Sequence, residues 1–496
     1  ITPDFVNPEA PWPHLTNLSN QTLLSGKILI PRLTIYPKYI EELETWVDQE
    51  IQPRVLRLSD SSGYARENNW STGRENIQEE NNILSSKIIQ IRKSTRFTEH
   101  IKKVIQLKPL SETEIADLFD ARGPDFEYVT EAAHDLSSDI HNKDVSYVIN
   151  RNINYTNICY FHCTFCAFSK GKTSEKLRGK PYDISLEEII RRCKEAYERG
   201  ATEVCLQGGI HPAYTGDTYR EIVKAIRREV PGLHIHAFSP LEIYQGAKTL
   251  GISISEFLKD LKDLGLRTLP GTAAEILDDE IRHIICKDKI NSSEWLEVME
   301  KAHKVGINST ATIMFGHVDT PLHWSRHLIK IRDLQAKTMG FTEFVPLPFV
   351  PMEAPMFLKG KSRFGPTLRE SVLMHSIARL SLYPNIKNIQ TSWVKMGISG
   401  IKKSLNAGAN DIGGTLMNES ITRAAGAEHG QEFSVSDMKS FIKSIGREPI
   451  QRDTLYQRII NPRLDQKLQN KPLDPIKNEL VNRQTKDKNL IKSESI

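Results

Sequence analysis

The chain has 496 residues, 39% hydrophobic content and a formal net charge of +4 from 66 basic and 62 acidic side chains. This length allows a sizeable buried core, and a charge so close to neutral excludes a global nucleic-acid or membrane footprint. The sequence has no local basic patch, no apolar run of bilayer length, no signal-peptide pattern and too few cysteines for a disulfide framework. We therefore predict a cytoplasmic protein with free thiols and with no nucleic-acid or membrane partner.

The composition and the hydrophobic periodicity of the sequence change near residue 85. Residues 1–85 are rich in Pro, Asn, Ser and Glu without a sustained period, which indicates an appended and partly ordered segment. Residues 86–145 form a predicted helical lead-in, where Ser111 and Glu114 have capping-box spacing and Gly123 is expected to end the helix.

Residues 146–430 contain eight short apolar or β-branched runs, most of them followed by a helical pattern. The runs are "VSYVINRNINYTNI", "TEVCLQ", "LHIHAF", "LRTLP", "STATIMF", "TEFVPL", "NIQTSW" and "NDIGG". Eight such units predict an α/β fold, a (β/α)8 TIM-type barrel with an N-terminal helical extension, whose chemistry lies at the carboxyl ends of the strands. A helical segment is expected at 431–456 and a disordered tail at 457–496.

Three of the six cysteines, Cys159, Cys163 and Cys166, lie within eight residues of one another, with Cys-x3-Cys-x2-Cys spacing. A 4Fe-4S cluster needs soft thiolate ligands, and three of them leave one iron open for a substrate or cosubstrate. A structural zinc site is the alternative, but its nearest fourth ligand, His162, is beside Cys163 and could hardly reach the same metal. The remaining cysteines are expected to be core residues: Cys193, Cys205 and Cys286.

The loop "CYFHCTFC" after the first predicted strand resembles the radical S-adenosylmethionine (SAM) enzymes. The resemblance implies that Cys159, Cys163 and Cys166 hold a 4Fe-4S cluster. It also implies that SAM chelates the open iron and is reduced by one electron to give a 5'-deoxyadenosyl radical.

Further stretches, such as "EVCLQGGIHP", "TATIMFGHV" and "GGTLMNESITRAAGAEHGQE", resemble the CofH half of FO synthase over about residues 110–456. This resemblance implies a transferase that joins the 4-hydroxybenzyl group of L-tyrosine to 5-amino-6-(D-ribitylamino)uracil on the route to the deazaflavin FO. An electron donor such as ferredoxin or flavodoxin is implied as a partner.

Residues 1–85 resemble the carboxyl end of the CofG lyase half of fused FO synthases, through "NPEAPWPHL" and "LTIYPKYI". That half's own cysteine loop is absent from the sequence. The resemblance therefore implies a chain that makes the adduct and relies on a CofG-like lyase to close the ring.

The resemblance also implies a SAM site built from strand ends. "LQGG", with Ile210 where many radical SAM enzymes have glutamate, is expected to approach the methionyl amine. Side chains after the third and fourth strands are expected to accept hydrogen bonds from the ribose hydroxyls or the ammonium of SAM. One arginine is expected to pair with the SAM carboxylate. The predicted SAM-binding residues are Gln207, Gly208, Gly209, Ser239, Glu242, Glu275 and Arg282.

The catalytic residues remain open, with His234, His236 and His317 as candidates. His234 and His236 point to one face of a strand, a geometry that a divalent-metal barrel hydrolase would also use. A second alternative is a radical SAM enzyme similar to dehypoxanthine futalosine cyclase. Other polar residues near predicted strand ends are candidates for substrate contacts: His211, Glu343, Gln390 and Ser392.

Overall fold

A computed structural model describes residues 14–74, 95–169, 180–463 and 472–477. Most of the predicted disordered tail lies outside these residues, as do parts of the predicted segments 1–85 and 86–145. Within the described ranges, no helix combines the length and the apolar character that a membrane span requires.

The described leader, residues 14–74, consists of short helices and turns. Its helices are α1 (Leu15–Leu24), α2 (Pro37–Glu41), α3 (Leu43–Trp46) and α4 (Gln52–Leu58). Most of its side chains before residue 59 are exposed or half-buried, whereas many between residues 59 and 74 are buried. The end of the leader is therefore the part that packs against the rest of the protein.

The helical lead-in contains α5 (Thr95–Ile105), α6 (Glu112–Leu118) and α7 (Pro124–His141). The predicted capping box is confirmed, because Glu114 N donates to Ser111 Oγ at 3.3 Å and Ser111 N donates to Glu114 Oε2 at 2.9 Å. The expectation for Gly123 is wrong. The helix α6 ends five residues earlier, and Gly123, with a φ of 52°, instead precedes α7, where a side chain would strain the backbone.

Parallel strands form the centre of the protein. They are β1 (Asp144–Val148), β2 (Asn150–Asn154), β3 (Glu203–Gln207), β4 (His234–Ala237), β5 (Thr268–Leu269), β6 (Asn308–Phe315), β7 (Phe341–Pro348), β8 (Asp411–Gly414) and β9 (Glu448–Gln451). One sheet has the order β2-β3-β4-β5-β6-β7, and a second has the order β8-β1-β9.

The two sheets join into a ring. Single residue pairs, Phe344 with Ile389 and Gln390 with Asp411, connect β7 to β8, and β8 pairs with β1. Only Ile149 separates β1 from β2, so the same extended segment closes the ring on its other side. The predicted α/β barrel is therefore confirmed, with its seventh unit reduced to a short extended segment.

Amphipathic helices cover the ring. They are α8 (Leu186–Glu198), α9 (Gly216–Glu229), α10 (Pro240–Leu250), α11 (Ile254–Leu264), α12 (Asp279–Cys286), α13 (Ser292–Lys304), α14 (Pro321–Thr338), α15 (Pro355–Leu358), α16 (Leu368–Leu382), α17 (Trp393–Leu405), α18 (Ile421–Ala424) and α19 (Val435–Ser444). Ser185 and Ser253 cap α8 and α11 with their side chains, as the Ser-rich starts in the sequence indicate.

The segment after the ring differs from its predicted helical form. α19 ends at Ser444, and the chain then adds β9 beside β1, outside the ring. This strand places Arg452 against the amino ends of the barrel strands, where its guanidinium meets Asp411.

The leader is fixed to the barrel by a buried ion network. Arg122 Nη2 lies 2.5 Å from Asp60 Oδ2, and Arg369 Nη2 lies 3.4 Å from the same oxygen. Ser61 N donates to Glu370 Oε1 at 2.8 Å, at the start of α16. These contacts hold the leader at the carboxyl-end face of the barrel.

Candidate active site

A cavity of about 420 Å³ extends from the cysteine loop into the barrel. Small-molecule sites in proteins have volumes of about 300–1,000 Å³. The residues predicted from the sequence that line it are Cys159, Cys163, Cys166, Gln207, Gly208, Gly209, His236, Ser239, Glu242, Glu275, Glu343, Gln390 and Ser392. Four others, all within the described part of the chain, do not line it: His211, His234, Arg282 and His317.

The cysteine loop, residues 157–169, is anchored to two neighbouring parts of the barrel. Tyr160 N donates to the carbonyl oxygen of Ile210 at 3.1 Å, after β3. Thr164 N donates to the carbonyl oxygen of Ile285 at 2.9 Å, near the end of α12. Backbone anchors of this kind leave the cysteine side chains available as ligands.

The three thiols are free and partly accessible. Burial raises the pKa of Cys163 well above its ordinary value, and it also raises the pKa of Cys166. Such thiols are poor nucleophiles, but a bound cation reverses this preference because it stabilises the thiolate. The ammonium of Lys289 already opposes the burial effect at both cysteines.

The spacing of the three sulfur atoms indicates whether they could bind one metal ion together or a multi-iron cluster. The sulfurs do not all lie within 4.8 Å of one another, and the group of three potential ligands that does so in the described ranges contains no cysteine. Thiolates on one zinc ion, at about 2.3 Å each, would lie ~3.8 Å apart. His162 offers no remedy, because its side chain is 87% exposed and lies 3.4 Å from Asp288. The donor set therefore fits a multi-iron cluster better than zinc.

The "LQGG" stretch brings the backbone of β3 against the cysteine loop. A Cβ on Gly208 would lie 2.3 Å from the ring of Tyr155, and a Cβ on Gly209 would lie 2.2 Å from the carbonyl oxygen of Ile158. Both glycines are therefore required by close approach. Gln207 contacts the cavity wall, where its Nε2 donates to Cys205 Sγ at 3.4 Å.

Ser239 and Glu242 form the capping box of α10. Glu242 Oε2 accepts from the backbone N and from Oγ of Ser239, both at 2.6 Å. Its Oε1 accepts from the Tyr155 hydroxyl and from Gly208 N, the latter at 3.3 Å. Burial raises the pKa of Glu242. Oε1 of this cavity-lining carboxylate therefore positions the segment after β3, while Oε2 caps α10.

Glu275 is paired with Lys289. The Lys289 Nζ lies 2.8 Å from Glu275 Oε1 and 5.5 Å from the ring centre of Phe165. Burial lowers the pKa of Lys289, but the negative charges of the Cys163 thiolate and then of Glu275 raise it, so that it lies well above its ordinary value. This lysine therefore brings a fixed positive charge to the cysteine loop.

His234 and His236 share one hydroxyl group. Nε2 of His234 and Nδ1 of His236 each lie 2.8 Å from Thr268 Oγ1. Burial lowers the pKa of His236 to about 4, and it lowers the pKa of His234 as well. The pair is therefore neutral and tied to a hydroxyl group, and neither histidine belongs to a three-ligand set among the described residues. This arrangement does not favour the hydrolase alternative.

Arg282 and His317 lie outside the cavity lining and make their polar contacts with other protein groups. Nη1 and Nη2 of Arg282 donate to backbone carbonyls, each with several acceptors, including Ala273 at 3.4 Å for both. They are therefore not directed at the cavity, and the predicted pairing with a SAM carboxylate has no support from this geometry. His317 is fully buried, where its Nδ1 accepts from Val318 N at 2.8 Å and lies 3.3 Å from Asp319.

The floor of the cavity, at the amino ends of the strands, is a buried charged network, in which Glu343 was a candidate from the sequence but Arg452, Asp411 and Glu203 were not. Arg452 Nε lies 2.5 Å from Asp411, and its Nη2 lies 3.6 Å from Glu343. Glu343 also accepts from the Tyr456 hydroxyl. Burial raises the pKa of Glu343 to about 7. Glu203 is a further carboxylate of the cavity, where it accepts from Asn150 Nδ2 at 3.0 Å and acts electrostatically on Glu343.

Two further charged residues of the cavity wall were also missed, Lys395 and Glu419. Both stand inside stretches that carry the family resemblance, "NIQTSWVKMG" and "GGTLMNES". Their position shortly after the last two ring segments was the available signal, because polar residues there reach the carboxyl ends of the strands.

A parallel barrel with three spread cysteines at the mouth of its cavity defines a radical SAM enzyme. A sequence model of the Radical SAM superfamily matches residues 153–328, and one of the CofH/MqnC C-terminal region matches residues 338–464. Among solved structures, methylornithine synthase (PylB) has a TM-score of 0.54 at 20% identity, covering 71% of this chain and 97% of its own. The maturase HydG from Carboxydothermus hydrogenoformans has a TM-score of 0.55 at 18% identity, covering 73% and 80%. These two likenesses concern the fold.

Relatives with higher sequence identity show to which family of radical SAM enzymes the chain belongs. The 5-amino-6-(D-ribitylamino)uracil--L-tyrosine 4-hydroxyphenyl transferase of Methanocaldococcus jannaschii is 45% identical over 355 residues, covering 71% of this chain and 97% of the relative. An FO synthase of Mycobacterium leprae is 41% identical over 503 residues, covering 92% and 57%. The chain belongs to the family of the M. jannaschii transferase. It spans somewhat more than half the length of the FO synthases that it matches.

Proposed function

We propose that this chain joins the 4-hydroxybenzyl group of L-tyrosine to 5-amino-6-(D-ribitylamino)uracil, as a step in FO biosynthesis. The observation that carries the proposal is the set of three spread thiols at the mouth of a cavity with a polar floor. The named activity of the M. jannaschii relative supports the choice of substrates. The relatives do not favour a futalosine cyclase.

Cys159, Cys163 and Cys166 would hold a 4Fe-4S cluster, and SAM would bind beside it. When bound, the cluster and SAM supply a 5'-deoxyadenosyl radical. Gly208 and Gly209 follow β3 and line the cavity, and their lack of side chains lets Tyr155 and the cysteine loop pack closely against this part of its wall. The other proposed SAM contacts that line the cavity are Gln207, Ser239, Glu242 and Glu275.

Aromatic side chains shield the cavity mouth. Phe161, Phe165 and Phe168 of the cysteine loop all line it. A radical needs protection from water and from unwanted hydrogen donors, and apolar walls provide it. The chain's own role at this level is therefore to exclude solvent from the reacting groups.

We assign the polar floor to the diaminouracil and its ribityl chain. This substrate offers N–H and O–H donors together with carbonyl acceptors, and it carries no formal charge. The floor offers acceptors in Glu203 and Glu343, and both a donor and an acceptor in the amide of Gln390. Arg452 is already paired with Asp411 and so brings no uncompensated charge.

An electron donor such as ferredoxin or flavodoxin, and a CofG-like lyase that consumes the adduct, complete the proposed function. The match to FO synthases covers more of this chain than the match to the stand-alone transferase, 92% against 71%. This difference supports the view that the leader resembles part of the lyase half. A cytoplasmic location stays a prediction.

The proposal is tested by an anaerobic assay joined to iron and sulfide analysis. Reconstituted protein should contain about four irons and four sulfides per chain. With reductant, SAM, tyrosine and the diaminouracil it should yield the adduct and 5'-deoxyadenosine. Formation of 5'-deoxyadenosine with dehypoxanthine futalosine alone would contradict the choice of substrates, and activity in air without SAM would support a hydrolase.

A further inference from the structure

The cations of the cavity wall differ in their partners. Within the described ranges three cationic residues line the cavity: Lys289, Lys395 and Arg452. Lys289 has Glu275 at 2.8 Å, and Arg452 has Asp411 at 2.5 Å. Lys395 has no hydrogen bond from its amine and no carboxylate within 4.0 Å among the residues that the structure describes. Lys395 is half-buried, and a cation that is partly removed from water without a partner carries a desolvation cost, so this amine is available to an anionic ligand.

The backbone around Lys395 fixes where its side chain starts. Lys395 lies in the first turn of α17, and the helix is broken two residues later at Gly397, with a φ of 65°. A Cβ on Gly397 would lie 2.7 Å from the ring of His429. From the leader, Gly73 N donates to the carbonyl oxygen of Lys395 at 2.7 Å. The lysine therefore stands on a turn that is held from both sides.

Glu419 is the acidic residue that acts most strongly on Lys395. Burial lowers the pKa of Lys395 to about 8, while Glu419 and then Glu275 oppose the shift. Glu419 accepts from the backbone N–H of Thr422 at 2.7 Å and of Arg423 at 3.3 Å. The carboxylate thus occupies the free N–H groups of α18 and keeps lone pairs for a further donor.

We propose that Lys395 and Glu419 bind the two charged groups of the amino-acid substrate, the α-carboxylate on Lys395 and the α-ammonium on Glu419. This inference rests on the proposed function for its substrate, L-tyrosine. SAM also carries an α-carboxylate and an α-ammonium, but both are expected on the open iron of the cluster. The diaminouracil is uncharged, so tyrosine is the remaining substrate whose charges match an opposed pair more than 4.0 Å apart. The side chain of the amino acid is then free to extend into the cavity.

The test compares Lys395→Met with Lys402→Met in the cluster-loaded protein. Lys402 lies on the same helix, is exposed and does not line the cavity, so it controls for the loss of a lysine. We expect Lys395→Met to raise the KM for tyrosine at least ten-fold, with the KM for the diaminouracil unchanged. Lys395→Arg should recover most of the affinity, and Lys402→Met should behave as the wild type.

Analogues of tyrosine identify the group that each residue binds. Tyramine lacks the carboxylate, so its binding should be weak and the same in wild type and Lys395→Met. The analogue 3-(4-hydroxyphenyl)propanoate lacks the ammonium, so Glu419→Gln should weaken tyrosine and leave this analogue unchanged. An equal effect of Lys395→Met on tyrosine and tyramine, or an unchanged KM for tyrosine, overturns the proposal.

Equilibrium dialysis with radiolabelled tyrosine separates the two levels of inference. If the wild type forms no adduct but binds tyrosine, and Lys395→Met abolishes this binding, the proposed function fails and the amino-acid site stands. If the wild type forms the adduct and Lys395→Met binds tyrosine equally well, the site fails and the function stands. Unchanged iron content and circular dichroism establish that each variant is folded.

Discussion

Gly73 of the leader and Lys395 of the barrel are joined by a backbone hydrogen bond of 2.7 Å. Gly73 also accepts a hydrogen bond from Glu428 N at 2.7 Å. The leader therefore forms part of the wall that supports the proposed amino-acid site, although it lies far from the barrel in sequence. Its attachment can be tested at the buried ion network around Asp60.

Asp60→Ala should detach the leader. Asp60 is 3% exposed and is paired with Arg122 and Arg369, so its loss leaves two buried guanidinium groups without this partner. We expect the free energy of unfolding of the protein, measured by urea denaturation, to fall by ~3–5 kcal/mol. Glu67→Ala is the matched control, because Glu67 is 42% exposed and its pair with Arg122 contributes ~1 kcal/mol or less. Equal losses in both variants would contradict the network.

Cys163→Ala should lose the cluster. Two thiolates cannot retain a 4Fe-4S cube as three do, so the iron content and the brown absorbance of thiolate-bound iron should fall strongly. Cys193→Ala is the control, since Cys193 is buried in α8 and does not line the cavity. We expect full iron loading in the control. Full loading in Cys163→Ala would refute the assignment of the ligands.

Gly209→Ala should disturb the same loop without removing a ligand. The added methyl group would lie 2.2 Å from the carbonyl oxygen of Ile158 and 3.0 Å from Cys159 Cβ, so the loop must move. We expect iron loading to fall several-fold, measured after anaerobic reconstitution. Gly251→Ala also introduces strain, with a φ of 66°, but meets no atom within 4 Å and lies at a helix end. Iron loading should be unaffected in that variant.

Glu343→Gln should change how stability depends on pH. Burial raises the pKa of Glu343 from 4.5 to about 7, so between these values the folded protein binds more protons than the unfolded chain. Stability from this group is therefore highest below about pH 4.5 and falls as the pH rises to about 7. Between pH 5 and pH 8, the free energy of unfolding of the wild type should fall relative to that of Glu343→Gln by ~1–3 kcal/mol. Parallel curves from urea titrations would rule this out.

Local patterns were sufficient to predict the ring and the cysteine loop. Seven of the eight predicted runs coincide with strands of the ring, the first of them with both β1 and β2, because parallel strands are buried on both faces. The thiol spacing needed no tertiary information, since Cys159, Cys163 and Cys166 are neighbours in the sequence.

The parts that were not predicted depend on distant partners. Arg282 was expected to pair with the SAM carboxylate as part of the site that the resemblance implies, but backbone carbonyls occupy its guanidinium in the folded chain. His234 and His236 do face one way, as expected, but nothing in the sequence indicated their shared partner, the hydroxyl of Thr268 on the next strand. Arg452 directly follows the four-residue strand β9, in the segment after α19. A strand this short is hard to distinguish from a helix by the periodicity of the sequence.

The Arg452 network gives the barrel a closed end. Asp411, Glu343 and Arg452 are all buried at the amino ends of the strands, opposite the cysteine loop. A compound that binds at this floor has to enter before another ligand occupies the mouth of the cavity. The same compound can leave only after that ligand has dissociated. We expect compulsory-order kinetics, in which the diaminouracil loads ahead of SAM and tyrosine, and the finished adduct departs only after the spent nucleoside has cleared the way.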